Sequence, residues 1–128
     1  MRCLVLDVDA VAHARGLKLL PPLEALIAVL PERACVERSV YTEMIRQGLG
    51  RTLEDWQRQG LLQDPVDYRR LPEGDATYRA LPAKRWPQLS RQDRASLALA
   101  RLLGPSGLLT CEVALAEASC IHRRVRAV

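Results

Sequence analysis

The sequence predicts an α/β fold in three layers, α/β/α, with a parallel sheet of four to five strands and helices on both faces. Two observations predict it. Short apolar runs alternate with helix-length segments from one end of the 128 residues to the other, and such alternation feeds parallel strands through helical crossovers. The first run, residues 3–8, and a late one, "GLLT" (107–110), are rich in branched apolar residues, as strands buried on both faces are.

The elements follow in order. The opening strand spans 3–8, and a short helix over 10–15 stops at Gly16. "LKLLPP" reads as a connection. A helix over 22–30 has Pro22 in its first turn and Pro31 beyond its end. "ACVE" (34–37) reads as a second strand. A helix over 39–48 has Ser39 as its N-cap and Gly48 as its stop. Thr52 and Asp55 have capping-box spacing for a helix over 53–59 that ends at Gly60. Residues 65–70 suggest a weak third strand, and 73–81 a helix. The clearest helix covers 90–104, with Ser90 and Asp93 spaced as a capping box and Gly104 after its end. Its "ASLALA" segment is small enough for close packing on a sheet. The 107–110 strand, an Ala-rich helix over 111–119 and an edge strand over 125–128 complete the chain. No repeat or linker interrupts it, so residues 1–128 read as a single domain.

Composition narrows the function classes. Apolar residues make up 48% and charged residues 27%, the balance of a soluble globular protein. No apolar run reaches the roughly 20 residues of a membrane span. Asp7 and Asp9 interrupt the basic-then-apolar layout of a signal peptide, so a cytoplasmic location is expected and no membrane partner. Cys3, Cys35, Cys111 and Cys120 contain no C-x-x-C pair, and His13 and His122 lack zinc-ligand spacing to them. The cysteines are therefore expected to be small buried thiols. Arg outnumbers Lys 17 to 2 within a net charge of +4, a surface compatible with nucleic acid. Aromatics are only 4%, which argues against a stacking platform for single strands.

"LVLDVDAV" (4–11) ends an apolar strand in two carboxylates. Open parallel sheets bind ligands at the carboxyl ends of their strands. That places Asp7, Glu43 and Glu112 on one rim, because each closes a strand or opens the helix that follows one. Asp93 begins the strongest helix, and its placement needs more than this argument. Each residue also has a plain structural role: Asp7 or Asp9 as a cap, Asp93 in a capping box, Glu112 at a helix N-terminus, Glu43 as a solvated helix residue. Clustered carboxylates stay ionised together only when cations share the site. Without His or Cys they suit Mg²⁺ or Mn²⁺.

Two resemblances follow. "DVDAV" matches the D-x-D-x-[TV] string of haloacid dehalogenase-like phosphatases, which implies a nucleophilic Asp7 and an acid at Asp9. That family also needs a downstream Lys and a paired acidic motif. Only Lys18 and Lys84 are present, and "EGDATYRA" (73–80) lacks the second acid. The other resemblance runs along nearly the whole chain. "LVLDVDAV", "ERSVYTEMIRQG" (37–48), "LSRQDRASLALARLLG" (89–104) and "GLLTCE" (107–112) resemble, in order, four elements of the PIN domain, the fold of many metal-dependent ribonucleases including VapC-type toxins. The resemblance implies a PIN-like fold and a Mg²⁺- or Mn²⁺-dependent endoribonuclease. Asp7, Glu43, Asp93 and Glu112 would be the metal-binding acids, with Asp9 and Thr110 auxiliary. Arg91 and Arg94, beside Asp93, would hold the RNA backbone. The implied partners are RNA, an antitoxin protein where the chain is a toxin, and a second copy in a homodimer through 23–30 and 39–48. Two positions depart from the family: Asp9 stands where Ser, Thr or Asn is usual, and Glu112 where Asp is usual. The reading from another class is a non-catalytic PIN-like module that binds RNA or protein.

Overall fold

A computed structural model describes residues 3–30, 33–81, 87–104, 106–110 and 125–127. The helix expected over 111–119 lies outside them, as do Lys84, Cys111, Glu112, Cys120 and His122. The α/β class is borne out. Strands β1 (Cys3–Leu6), β2 (Arg33–Cys35), β3 (Ser106–Leu109) and β4 (Val125–Ala127) form a parallel sheet in the order β2-β1-β3-β4. β1 lies between β2 and β3 and is buried along its length, which accounts for its unbroken apolar sequence.

Strand alternation divides the core in two. Leu4 and Leu6 pack with residues from helices α1 (Val8–Gly16), α2 (Leu20–Val29), α3 (Arg38–Arg46) and α4 (Gly50–Arg58). Cys3 and Val5 face the other way, toward Leu97, Ala98, Leu99 and Ala100 of helix α6 (Arg91–Leu102). Helices therefore cover both faces, and the small residues of "ASLALA" are buried as expected.

Several boundaries differ from the sequence reading. The opening strand stops at Leu6, because Asp7 takes an extended N-cap conformation and α1 begins at once at Val8. α2 absorbs part of "LKLLPP": Pro21 and Pro22 sit in its first turn, where backbone N–H groups have no helical acceptor anyway. α3 is capped by Glu37, whose side chain accepts from the Ser39 N–H, so Ser39 is not the cap. α4 begins at Gly50 without a side-chain cap, and Thr52 lies inside it; Asp55 pairs with Arg58 at 2.6 Å instead. The weak strand at 65–70 is a 3₁₀ turn over Tyr68–Arg70, although Leu62 and Val66 bridge to Ala34 and Glu37 along the outer edge of β2.

Helix α5 (Gly74–Arg79) follows that turn. A Cβ at Gly74 would stand 1.8 Å from the Tyr68 carbonyl oxygen, so only glycine permits this approach. The approach sets Tyr78 in a stack on Tyr68, with ring centroids 4.9 Å apart.

The cysteines also correct an expectation. Cys3 and Cys35 are joined by a disulfide, with Cα atoms 6.5 Å apart, rather than remaining separate thiols. The register explains their meeting. Val5 lies opposite Cys35, so Cys3 is the diagonal neighbour on the same face. No helix among the described residues is long and apolar enough to cross a membrane.

Candidate metal centre

Three parallel strands end at one level. Leu6 is paired with Leu109, and Val5 with Cys35. Continuing those registers sets Asp7 beside Thr110 on one side and Glu37 on the other. Alternation sends all three toward the α6 face, where Val5, Cys35 and Leu108 already point. The first turn of α6 brings Asp93 to the same place.

Asp7 is wholly buried. Its backbone N–H donates to the Leu109 carbonyl at 3.1 Å, which locks it to the end of β3. It occupies the N-cap position of α1, yet its side chain makes no capping bond. Instead Oδ2 accepts from the Thr110 hydroxyl at 3.0 Å. Oδ1 is buried with no hydrogen-bond partner. An unpartnered buried carboxylate oxygen is costly unless a cation or a proton meets it. Burial pushes the Asp7 carboxyl up to about 7. Asp93 adds to the rise and Asp9 adds less, against the opposing Thr110 hydrogen bond and, weakest, the Val8 backbone N–H.

Asp93 is 9% exposed and does two things. Its Oδ2 accepts from the Ser90 N–H at 3.1 Å, and its own N–H donates to Ser90 Oγ at 3.0 Å. The capping box expected from the spacing is therefore present. It engages only one carboxylate oxygen. Asp93 also offers an oxygen to a group with Asp7 and Asp9 in which the three ligand atoms lie within 4.8 Å of one another. Asp9, exposed in the first turn of α1, thus stands closer to the centre of the site than an auxiliary position suggests.

Glu43 is not in this group. Its carboxylate accepts from Gln47 at 3.3 Å and pairs with Arg46 at 3.4 Å on its own helix. Glu112 lies outside the described residues. Thr110, expected as an auxiliary residue, is bonded directly to Asp7. Arg91 is exposed at the first residue of α6. Arg94 is half-buried, and its Nε has no hydrogen-bond partner. Neither arginine makes an ion pair among the described residues.

The sequence reading missed Glu37. It is 1% exposed and accepts from the Ser39 N–H at 2.7 Å, the Ser39 hydroxyl at 2.5 Å and the Tyr68 N–H at 3.2 Å. The signal was an acid directly after an apolar strand, the same signal that marked Asp7. The three carboxylates could hold a metal ion, and oxygen donors without His or Cys are the kind of set that hard cations take. The sequence matches no protein-family model and no curated protein.

Proposed function

We propose that the protein is a PIN-like ribonuclease that depends on Mg²⁺ or Mn²⁺. The observation that carries this reading is the Asp7 carboxylate, which leaves Oδ1 buried and unpartnered and is grouped with two other carboxylates. Asp7, Asp9 and Asp93 would hold the cation, and Thr110 fixes Asp7 through its other oxygen. When bound, the ion supplies Lewis acidity to a phosphodiester and acidifies water, so no protein nucleophile is needed. The chain's own part is to hold the carboxylates rigidly. α1 and α6 start at the rim, and their N-termini favour the anionic groups placed there. Glu43 and Glu112 remain proposed supporting acids. Glu43 would join by turning away from Arg46, an exposed pair that contributes little.

A second reading is a non-catalytic PIN-like module. The engagement of Glu43 by Arg46 and Gln47 favours it, because the group then has three acids rather than four. Incubating the protein with single-stranded RNA and Mn²⁺ separates the two. Cleavage that chelation abolishes supports the ribonuclease; binding without cleavage supports the module. A covalent aspartyl-phosphate at Asp7 with a phosphate analogue would replace both with the phosphatase reading.

We also propose a homodimer through α2 and α3. Leu26 and Val29 on α2 are 44% and 77% exposed, and Ile45 on α3 is 50% exposed. Light scattering is expected to give twice the chain mass. A monomer at high concentration would reject this arrangement. An antitoxin protein is a proposed partner if the chain is the toxin of such a pair.

A further inference from the structure

A cavity of about 210 Å³ opens beside the acidic rim. Tyr68, Tyr78, Arg69, Arg91 and Gln92 line it, with Glu37 among its walls. Its place relative to the rim follows from the chain. Arg91 and Gln92 immediately precede Asp93 in the first turn of α6, and Glu37 continues β2 to the level of Asp7. The volume is below the roughly 300 Å³ at which pockets for drug-sized ligands begin. It suits one planar ring with its attached group.

The lining has two chemistries. Tyr68 and Tyr78 stack at an interplanar angle of 11°, and both are half-buried. The Arg69 guanidinium lies 5.9 Å from the Tyr68 ring centroid and is anchored by Asp67 at 3.4 Å. Arg91, exposed where it lines the cavity, makes no ion pair among the described residues. Aromatic rings take unpaired bases, and guanidinium groups take the phosphates between them. The composition, poor in aromatics, argues against such a platform. The fold overrides that argument by gathering two of the three tyrosines at one cavity, through the close approach that Gly74 permits.

We propose that this cavity seats one unpaired nucleotide of the RNA strand, its base against Tyr78, which Tyr68 backs, and its phosphate on Arg91. The proposal rests on the reading of the rim as a phosphodiester-cleaving centre, since the bound nucleotide would flank the phosphate presented there. Such a seat would select single-stranded over paired RNA, because a base inside a duplex is not free to enter.

The test is binding of a fluorescent single-stranded RNA hexamer, followed by anisotropy in chelator with the Asp7→Asn protein, which cannot cleave it. Tyr78→Leu and Arg91→Ala in that background are each expected to weaken binding roughly tenfold, while Tyr78→Phe keeps it. A nucleoside monophosphate is expected to compete where inorganic phosphate at the same concentration does not. Unchanged binding in both Tyr78→Leu and Arg91→Ala would overturn the proposal, as would equal competition by inorganic phosphate or by duplex RNA. If Tyr78→Leu fails to fold, the competition decides: a nucleoside monophosphate that competes no better than inorganic phosphate overturns the proposal. Mn²⁺ stabilisation of the single variant Tyr78→Leu, with Asp7 intact, keeps the two readings apart. Stabilisation retained with RNA binding lost locates the effect in the cavity. RNA binding retained without Mn²⁺ stabilisation of wild type refutes the rim and leaves the cavity standing.

Discussion

Asp7 and Glu37 occupy equivalent places on neighbouring strands, and the fold treats them in opposite ways. Each follows a parallel strand of the sheet, each is the N-cap residue of the next helix, and each is almost wholly buried. Glu37 accepts three hydrogen bonds and caps its helix. Asp7 forgoes the cap, bonds Thr110 through one oxygen and leaves the other without a hydrogen bond, and its carboxylate is grouped with those of Asp93 and Asp9. Glu37 ties α3 to the 3₁₀ turn and is structural. A buried charge at Asp7 that nothing meets costs stability above the ordinary carboxylate range, and a cation would relieve that cost. Burial does not distinguish the two carboxylates, but their hydrogen bonds do.

The largest expected effect separates capping from metal binding within one residue. Asp93→Asn keeps an acceptor for the Ser90 N–H, so the capping box and the fold survive. RNA cleavage in Mn²⁺ should nevertheless fall by roughly a hundredfold or more, since even groups that merely support metal ligands change activity by about 10–100-fold. Cleavage at the wild-type rate would make Asp93 a cap only.

Glu37→Ala should act on stability. It leaves the Ser39 and Tyr68 N–H groups without their acceptor and removes a cap. The expected loss is about 2–4 kcal/mol by denaturant unfolding. Mn²⁺ should still stabilise whatever folded protein remains. A loss below about 0.5 kcal/mol, the range of an ordinary surface substitution, would show that Glu37 is not the anchor described.

Asp7→Asn should do the opposite in chelator. The folded carboxyl titrates at about 7 against 3.8 as the ordinary value. Between those values the native state binds more protons than the unfolded chain, so wild-type stability falls as pH rises. The penalty is absent below the ordinary value, grows through the window and is complete above about 7. Its ceiling is on the order of 4 kcal/mol, and the Asn amide, itself desolvated, recovers only part of it. Melting at about pH 8 should therefore show Asp7→Asn more stable than wild type by about 1–3 kcal/mol, with the difference gone near pH 4. Glu37→Gln, lacking a full set of acceptors for its donors, should be destabilised at both. If Asp7→Asn is also destabilised at about pH 8, the two carboxylates are alike after all.

The smallest effect belongs to Thr110→Val, which keeps the shape and removes the hydroxyl from Asp7 Oδ2. About 1 kcal/mol of stability should be lost, and Mn²⁺ affinity should fall by about tenfold. Titration calorimetry reads the second quantity directly. Unchanged affinity would mean that Thr110 does not position the ligand.

The sequence showed the parts governed by short-range rules. The apolar run ending at Asp7, the Ser90–Asp93 box and the small residues of α6 were all legible, because strand burial and capping leave fixed spacings. The meeting of Asp93 with Asp7 was not, since it depends on packing across the sheet. Glu37 was passed over because Ser39, a better capping residue by propensity, stood two positions later. Its preference is local, while Glu37 also reaches the Tyr68 N–H, 31 residues away. Glu43 shows the reverse. Topology put its helix at the rim, but Arg46 and Gln47, one turn along, hold its carboxylate. The pairing of Cys3 with Cys35 likewise depends on strand register, which no spacing between them reveals.

The most direct test of the account is the melting of wild type and Asp7→Asn at about pH 8, with chelator and then with Mn²⁺. A ligand that binds only the folded state, at about a hundredfold above its dissociation constant, adds about 2.7 kcal/mol. The account predicts that Mn²⁺ raises the wild-type melting temperature by several degrees and barely moves Asp7→Asn, which starts higher in chelator. An equal response of the two proteins, or no response of wild type, would contradict it.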